Sequence, residues 1–173
     1  MWANGELLAN MLEDITSYYN VNDVVIVAHS NGGKASEVAM FYENKSHLVN
    51  RVISLGTPFK GTGLADLAET PALNWLVDFI GLGGGTTTST TYYMEGVARP
   101  ILDSEPDNEP NKFINFGGWG WNTGTTITAP VMFIGGTYLV LAGGDSSTGG
   151  NDGVTPFYSS TRPGSNAQWP GYC

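Results

Sequence analysis

The residues best placed to do chemistry in this 173-residue chain are in Ala28-His29-Ser30-Asn31-Gly32-Gly33. A serine in a tight turn between a strand and a helix is pushed into a strained backbone conformation. Its hydroxyl then stands above the sheet edge, provided the residues two before and two after it are small. Ala28 and Gly32 meet that demand. The pattern fits a nucleophile for acyl transfer, and equally a serine that merely caps a helix in a glycine-rich turn. Two carboxylates could orient a catalytic imidazole: Asp152 in Asn151-Asp-Gly-Val-Thr-Pro156, and Asp145 in Gly143-Gly-Asp-Ser-Ser147. Both are also ordinary Asx-turn residues beside glycine. The chain holds only two histidines, His29 and His47, and one cysteine, Cys173. That set does not make a zinc site, which takes three or four such ligands.

Elements able to hold these groups can be read from the pattern. Between Gly5 and Tyr19, Leu7, Leu8, Met11, Leu12, Ile15, Tyr18 and Tyr19 recur at helical spacing, which predicts an amphipathic helix. Val24-Val-Ile-Val27 is β-branched and does not alternate, as expected of a parallel strand covered on both faces. Ser30 follows it, and a second helix follows Ser30 with Ala35, Val38, Ala39 and Tyr42 on one face. Asn50–Leu55 predicts another buried strand, ending at Gly56-Thr-Pro58, and Pro130 introduces Val131–Ile134 as a third. Between them, about 59 to 128 reads as a long lid-like insertion within a single domain, because none of its segments could close a core alone. In that insertion Trp75, Leu76, Phe79 and Ile80 form an apolar stripe, and Trp119 and Trp121 read as a loop packed by its own aromatics. The fold class is α/β, a mostly parallel sheet flanked by helices.

Charge excludes several partners. Seven Lys and Arg against sixteen Asp and Glu give a net charge of −9, which leaves no basic footprint for nucleic acid or for anionic lipid. The longest apolar stretch, Ala129–Leu141, is broken by Gly135 and Gly136 and falls short of the roughly 20 residues that span a bilayer. No basic, apolar leader opens the chain.

Three segments resemble the α/β-hydrolase lipases. Val24–Gly33, reading VVIVAHSNGG, is similar to their nucleophile elbow. Arg51–Gly61, with Gly56-Thr-Pro58, resembles the stretch that follows the elbow helix, and Asn151-Asp-Gly153 resembles the segment carrying the catalytic acid. The likeness implies a partial α/β-hydrolase fold and a secreted serine hydrolase, a lipase or carboxylesterase cleaving acyl esters through an acyl-enzyme. It implies Ser30 as nucleophile, the Asn31 N–H as an oxyanion-hole donor and Asp152 as the acid. Phe59, Trp75 and Phe79 would then line the substrate side, and the insertion would touch a lipid interface. No cofactor is implied; a structural calcium at Asp145 or Asp152 is conceivable, although no complete loop pattern is present. The same fold also serves polyester depolymerases, acyltransferases and degenerate binding modules.

The base departs from the pattern. In this fold the triad runs serine, acid, histidine, and no histidine follows Asp152. His29 is fixed beside the nucleophile with its side chain expected to point away, and His47 falls in a polar connection at the wrong end of the strands. The expectation is therefore an internal segment lacking the early strands, the second oxyanion donor and the catalytic histidine, with Cys173 pairing beyond it and ester turnover weak or absent.

Overall fold

In a computed structural model the described residues are 1–70, 85–120, 129–141, 150–165 and 167–172. Four parallel strands, β1 (Val24–His29), β2 (Val49–Leu55), β3 (Phe113–Trp119) and β4 (Ala167–Tyr172), pair in the order β1-β2-β3-β4. His29 pairs with Leu55, so the tips of β1 and β2 come level at one edge, and Leu55 pairs with Phe116, so β3 runs on three residues beyond them.

Helix α1 (Trp2–Tyr19) buries Gly5, Ala9, Leu12 and Thr16. Its contact face is thus a small-residue seam, and Leu7, Met11, Tyr18 and Tyr19 from the expected apolar stripe are exposed. The seam lets the helices approach closely: a Cβ on Gly5 would lie 2.3 Å from Val38. α2 (Asn31–Glu37) runs on as a π-helical turn, Val38–Tyr42, in which Val38 to Phe41 are buried. Against the sheet they form a core of Ala9, Leu12, Ala28, Met40, Phe41, Val52, Phe59 and Phe113. Removing apolar surface of this kind from water is worth roughly 25 cal/mol per Å2.

Three sequence expectations change here. β1 is not covered on both faces: Val24, Ile26 and Ala28 turn toward the core, but Val25 and Val27 are 55% and 67% exposed. The insertion does not run unbroken to Thr128, because Phe113–Trp119 is the third strand of the sheet, and Trp119 closes that strand instead of lying in a loop. Val131–Ile134 is not a strand either, since it falls within helix Ala129–Leu141. Pro130 near the start of that helix costs no hydrogen bond, and an apolar run without alternation does not by itself separate strand from helix.

Further helices follow β2. α3 (Gly63–Ala68) is capped by Thr62, whose hydroxyl accepts from the Leu64 N–H. A continuous helical run follows as α4 (Thr91–Tyr93), a π turn (Met94–Ala98) and α5 (Arg99–Ser104). The helix Ala129–Leu141 is α6. Among the described residues no helix is long and apolar enough to cross a membrane.

Candidate functional site

Ser30 follows the last residue of β1 and caps α2, with φ 52° and ψ −124°. Among the described residues only Asn20, Ser30 and Asn44 of the non-glycines have positive φ. Asparagine tolerates the left-handed region; serine at this φ and ψ is strained, by about 1–3 kcal/mol. The strain is held by neighbours. The Ser30 N–H donates to the Leu55 carbonyl at 3.0 Å, anchoring the turn to the β2 tip, and the Gly33 N–H donates back to the Ser30 carbonyl at 3.2 Å. A Cβ on Gly32 would stand 3.5 Å from the Ala28 Cβ, an ordinary contact. Gly33 is the more demanding glycine: a Cβ there would fall 2.3 Å from the Thr57 hydroxyl, so only glycine lets α2 start this close to the β2 tip. The Asn31 N–H opens the helix and has no carbonyl one turn earlier in the helix to bond.

Asp152 reaches the same edge by another route. Its Oδ1 accepts from the Val154 N–H at 2.9 Å and the Thr155 N–H at 2.6 Å. Oδ2 lies over Gly56, where a Cβ would approach it to 3.2 Å. Burial pushes the Asp152 carboxyl upward in pKa; hydrogen bonds from Thr155, Val154 and its own N–H, and the charge of His29, pull the other way. The loop is sewn to the segment after β2. The Thr62 hydroxyl donates to the Val154 carbonyl at 2.5 Å, the Thr155 hydroxyl reaches the Gly56 carbonyl at 3.4 Å, and the Phe59 N–H donates to the Ser159 carbonyl at 2.9 Å. On its other side the Asn151 amide donates to Gly136 of α6 at 3.3 Å.

Behind the serine, two charged side chains of α2 are fully buried. Glu37 bonds Arg99 at 2.6 Å and Arg162 at 2.9 Å, and Arg162 extends to Asp103 and lies over the Phe41 ring. Arg162 sits on the segment that follows Asp152, so this buried cluster ties the serine helix to the acid loop. Lys34 donates to the Thr88 carbonyl and to the Ser89 hydroxyl, both at 2.8 Å. Burial, countered by Glu37 and reinforced by Arg99, lowers the Lys34 ammonium pKa to about 7.

The structure therefore brings the turn with Ser30 and Asn31, and the loop with Asp152, to adjacent strand tips. His29 is exposed at the end of β1. His47 is exposed in the turn before β2, at the opposite end of the sheet. Phe59 does not serve as a substrate wall: it is fully buried, edge-on to Phe113 with centroids 5.7 Å apart. Trp75, Phe79, Asp145, Trp121 and Cys173 lie outside the described residues. Among the described residues no three His, Cys, Asp or Glu side chains gather as they would around a metal ion. Sequence reading missed Lys34, Glu37, Ser89 and Arg162. The available signal was a lysine directly after Gly32-Gly33 in a chain with only seven Lys and Arg.

Comparison with known proteins bears on the fold. Residues 2–74 match the family described as a PGAP1-like alpha/beta domain. The crystal structure of the mature form of Bacillus licheniformis lipase BlEst2 superposes with a TM-score of 0.77 at 32% identity, over 98% of this chain and 64% of that one. Its propeptide form gives 0.78 at 32%, over 99% of this chain and 36% of that one. Staphylococcus hyicus lipase, at 16% identity and a TM-score of 0.51 over 87% of this chain and 61% of that one, supports the fold alone. The curated proteins gave no match. The chain has the α/β-hydrolase fold, in part. Within that fold its likeness is to bacterial lipases, and it spans less than two thirds of the length of the BlEst2 structures.

Proposed function

We propose that the chain is the nucleophile-bearing and acid-bearing part of a secreted serine hydrolase that cleaves acyl esters, a lipase or carboxylesterase. The observation that carries the reading is the backbone of Ser30: a non-glycine held at φ 52° and ψ −124° between strand and helix, next to the β2 tip where the Asp152 carboxylate lies over Gly56. Strain of this kind persists where the surroundings over-determine it, and it projects the hydroxyl off the sheet.

In this reading Ser30 Oγ attacks the ester carbonyl and passes its proton to an imidazole. The new carbonyl oxyanion is met by the Asn31 N–H at the positive end of α2. The tetrahedral adduct collapses to an acyl-serine, and the alcohol leaves with the imidazole's proton. Water, deprotonated by the same imidazole, then releases the acid and restores Ser30. Asp152 orients the imidazole and stabilises its charged form. Oδ2, which lies over Gly56, is the atom for that bond, since Oδ1 already accepts from Val154 and Thr155.

The imidazole is neither of the two histidines here. His47 is at the far end of β2, and His29 belongs to the strand that carries the nucleophile. We assign the base to a residue of the full gene product outside these 173, and expect the isolated chain to turn over esters weakly or not at all. The exposed Phe133, Ile134, Val140 and Leu141 of α6, beside the Asp152 loop, give a lipid interface an apolar surface to meet. A depolymerase or acyltransferase would use the same groups. The test is p-nitrophenyl ester hydrolysis by the full gene product: activity lost in Ser30→Ala supports the reading, and activity that survives the substitution overturns it.

A further inference from the structure

The most unusual group near the site is Lys34. It is fully buried, it sits one turn after Ser30, and among the described residues no carboxylate forms an ion pair with it. Glu37, one turn further on, is engaged by Arg99 and Arg162. Burying an ammonium without a counter-charge is costly, so what it holds matters. Lys34 Nζ donates to the Thr88 carbonyl and the Ser89 hydroxyl, both at 2.8 Å. The Ser89 hydroxyl has a single proton, and two acceptors lie within reach: the Gly85 carbonyl at 2.8 Å and the Asn31 side-chain oxygen at 3.2 Å. Ser89 is itself pinned, because its carbonyl accepts from the Thr62 N–H at 2.9 Å. A relay thus runs from Lys34 through Ser89 to Asn31, the residue whose N–H is assigned to the oxyanion.

Resting on the serine-hydrolase reading above, we propose that Lys34 is a positioning residue for the oxyanion pocket, fixing Asn31 through Ser89 and adding a buried positive charge behind the serine. It touches no substrate. The groups that act on its charge are Glu37 on its own helix, Arg99 of α5 and the Met1 amino group at the start of α1; the 85–90 segment brings only Gly, Thr and Ser. With its ammonium losing its proton near pH 7, the relay weakens as pH rises through neutrality.

Two measurements test this. In the full gene product, the amide resonance of Asn31 is expected to follow a titration centred near pH 7 that vanishes in Lys34→Met. No titration at Asn31, or one that persists in Lys34→Met, overturns the proposal whatever the reaction is. In the full gene product, Lys34→Met is expected to lower kcat for a p-nitrophenyl ester roughly 10- to 100-fold, with KM unchanged and the fall in rate above neutral pH removed. A wild-type kcat, or a lowered kcat that keeps the alkaline fall, overturns it. Should Lys34→Met fail to fold, Ser89→Ala takes its place: a smaller fall in kcat with a flattened alkaline limb supports the relay, and wild-type behaviour overturns it. Turnover that survives Ser30→Ala instead overturns the serine reading, and the amide titration still decides the relay.

Discussion

The Ser30 turn and the Asp152 loop meet at one sheet edge but are built from different materials. Ser30 is placed by its immediate neighbours: β1 before it, α2 after it, Ala28 against Gly32, and one backbone bond to Leu55. Asp152 is placed by residues distant in sequence, Gly56, Thr62 and Gly136, and by Arg162 on its own segment bonded back to Glu37. A turn that stores strain has to be locally over-determined. The Asp152 loop keeps its own shape through the Val154 and Thr155 N–H groups, but its seat shifts when a distant contact is lost.

The largest expected effect breaks the serine side alone. Ser30→Ala in the full gene product lowers kcat by about four to six orders of magnitude, measured by ester hydrolysis, and leaves the thermal midpoint within a few degrees. Next, Asp152→Asn lowers kcat by about 10^4. The asparagine side-chain oxygen still accepts from Val154 and Thr155, so the loop keeps its shape and circular dichroism is unchanged. Third, Glu37→Gln strikes the link between the two regions. It leaves Arg99 and Arg162 buried without their shared carboxylate and costs about 3–5 kcal/mol in urea unfolding. Gly33→Val drives α2 from Thr57 and costs about 1–3 kcal/mol, with activity falling alongside because the strained turn shifts. The most gradual effect is the pH dependence of stability from Lys34. The folded state holds this ammonium's pKa at about 7 against 10.5 for the free side chain, so between those values the unfolded chain binds more protons. The penalty of burying Lys34 is complete below pH 7 and fades as pH rises toward 10.5. Lys34→Met therefore gains most over wild type at low pH, and a stability difference that is flat with pH contradicts this.

The same contrast explains what could be read in the sequence. The strand, turn and helix around Ser30 are legible because their causes are local: a β-branched run, small residues flanking a serine, and a helical repeat. Asn151-Asp-Gly153 was legible as a turn, but its seat over Gly56 depends on a partner almost a hundred residues away. β3 was hidden by its glycines. Gly117 looks like a loop residue, yet it lies in the strand because the Phe157 ring covers it, where a Cβ would come within 2.5 Å. α6 was misassigned because an uncharged apolar run carries neither period clearly. Phe59 followed a strand tip, as a pocket residue would, and folded into the core against Phe113. Lys34 and Glu37 are charged residues outside the apolar set Ala35, Val38, Ala39 and Tyr42 of their helix. Only Ser89, Arg99 and Arg162, brought over them from later in the chain, make them interior.

The central claim is that Ser30 is the nucleophile. Incubating the full gene product with a fluorophosphonate and mapping the modified peptide by mass spectrometry tests it most directly. The account predicts a single adduct on Ser30, absent from Ser30→Ala and formed more slowly in Asp152→Asn. An adduct on another residue, or equal labelling of Ser30→Ala, would contradict it.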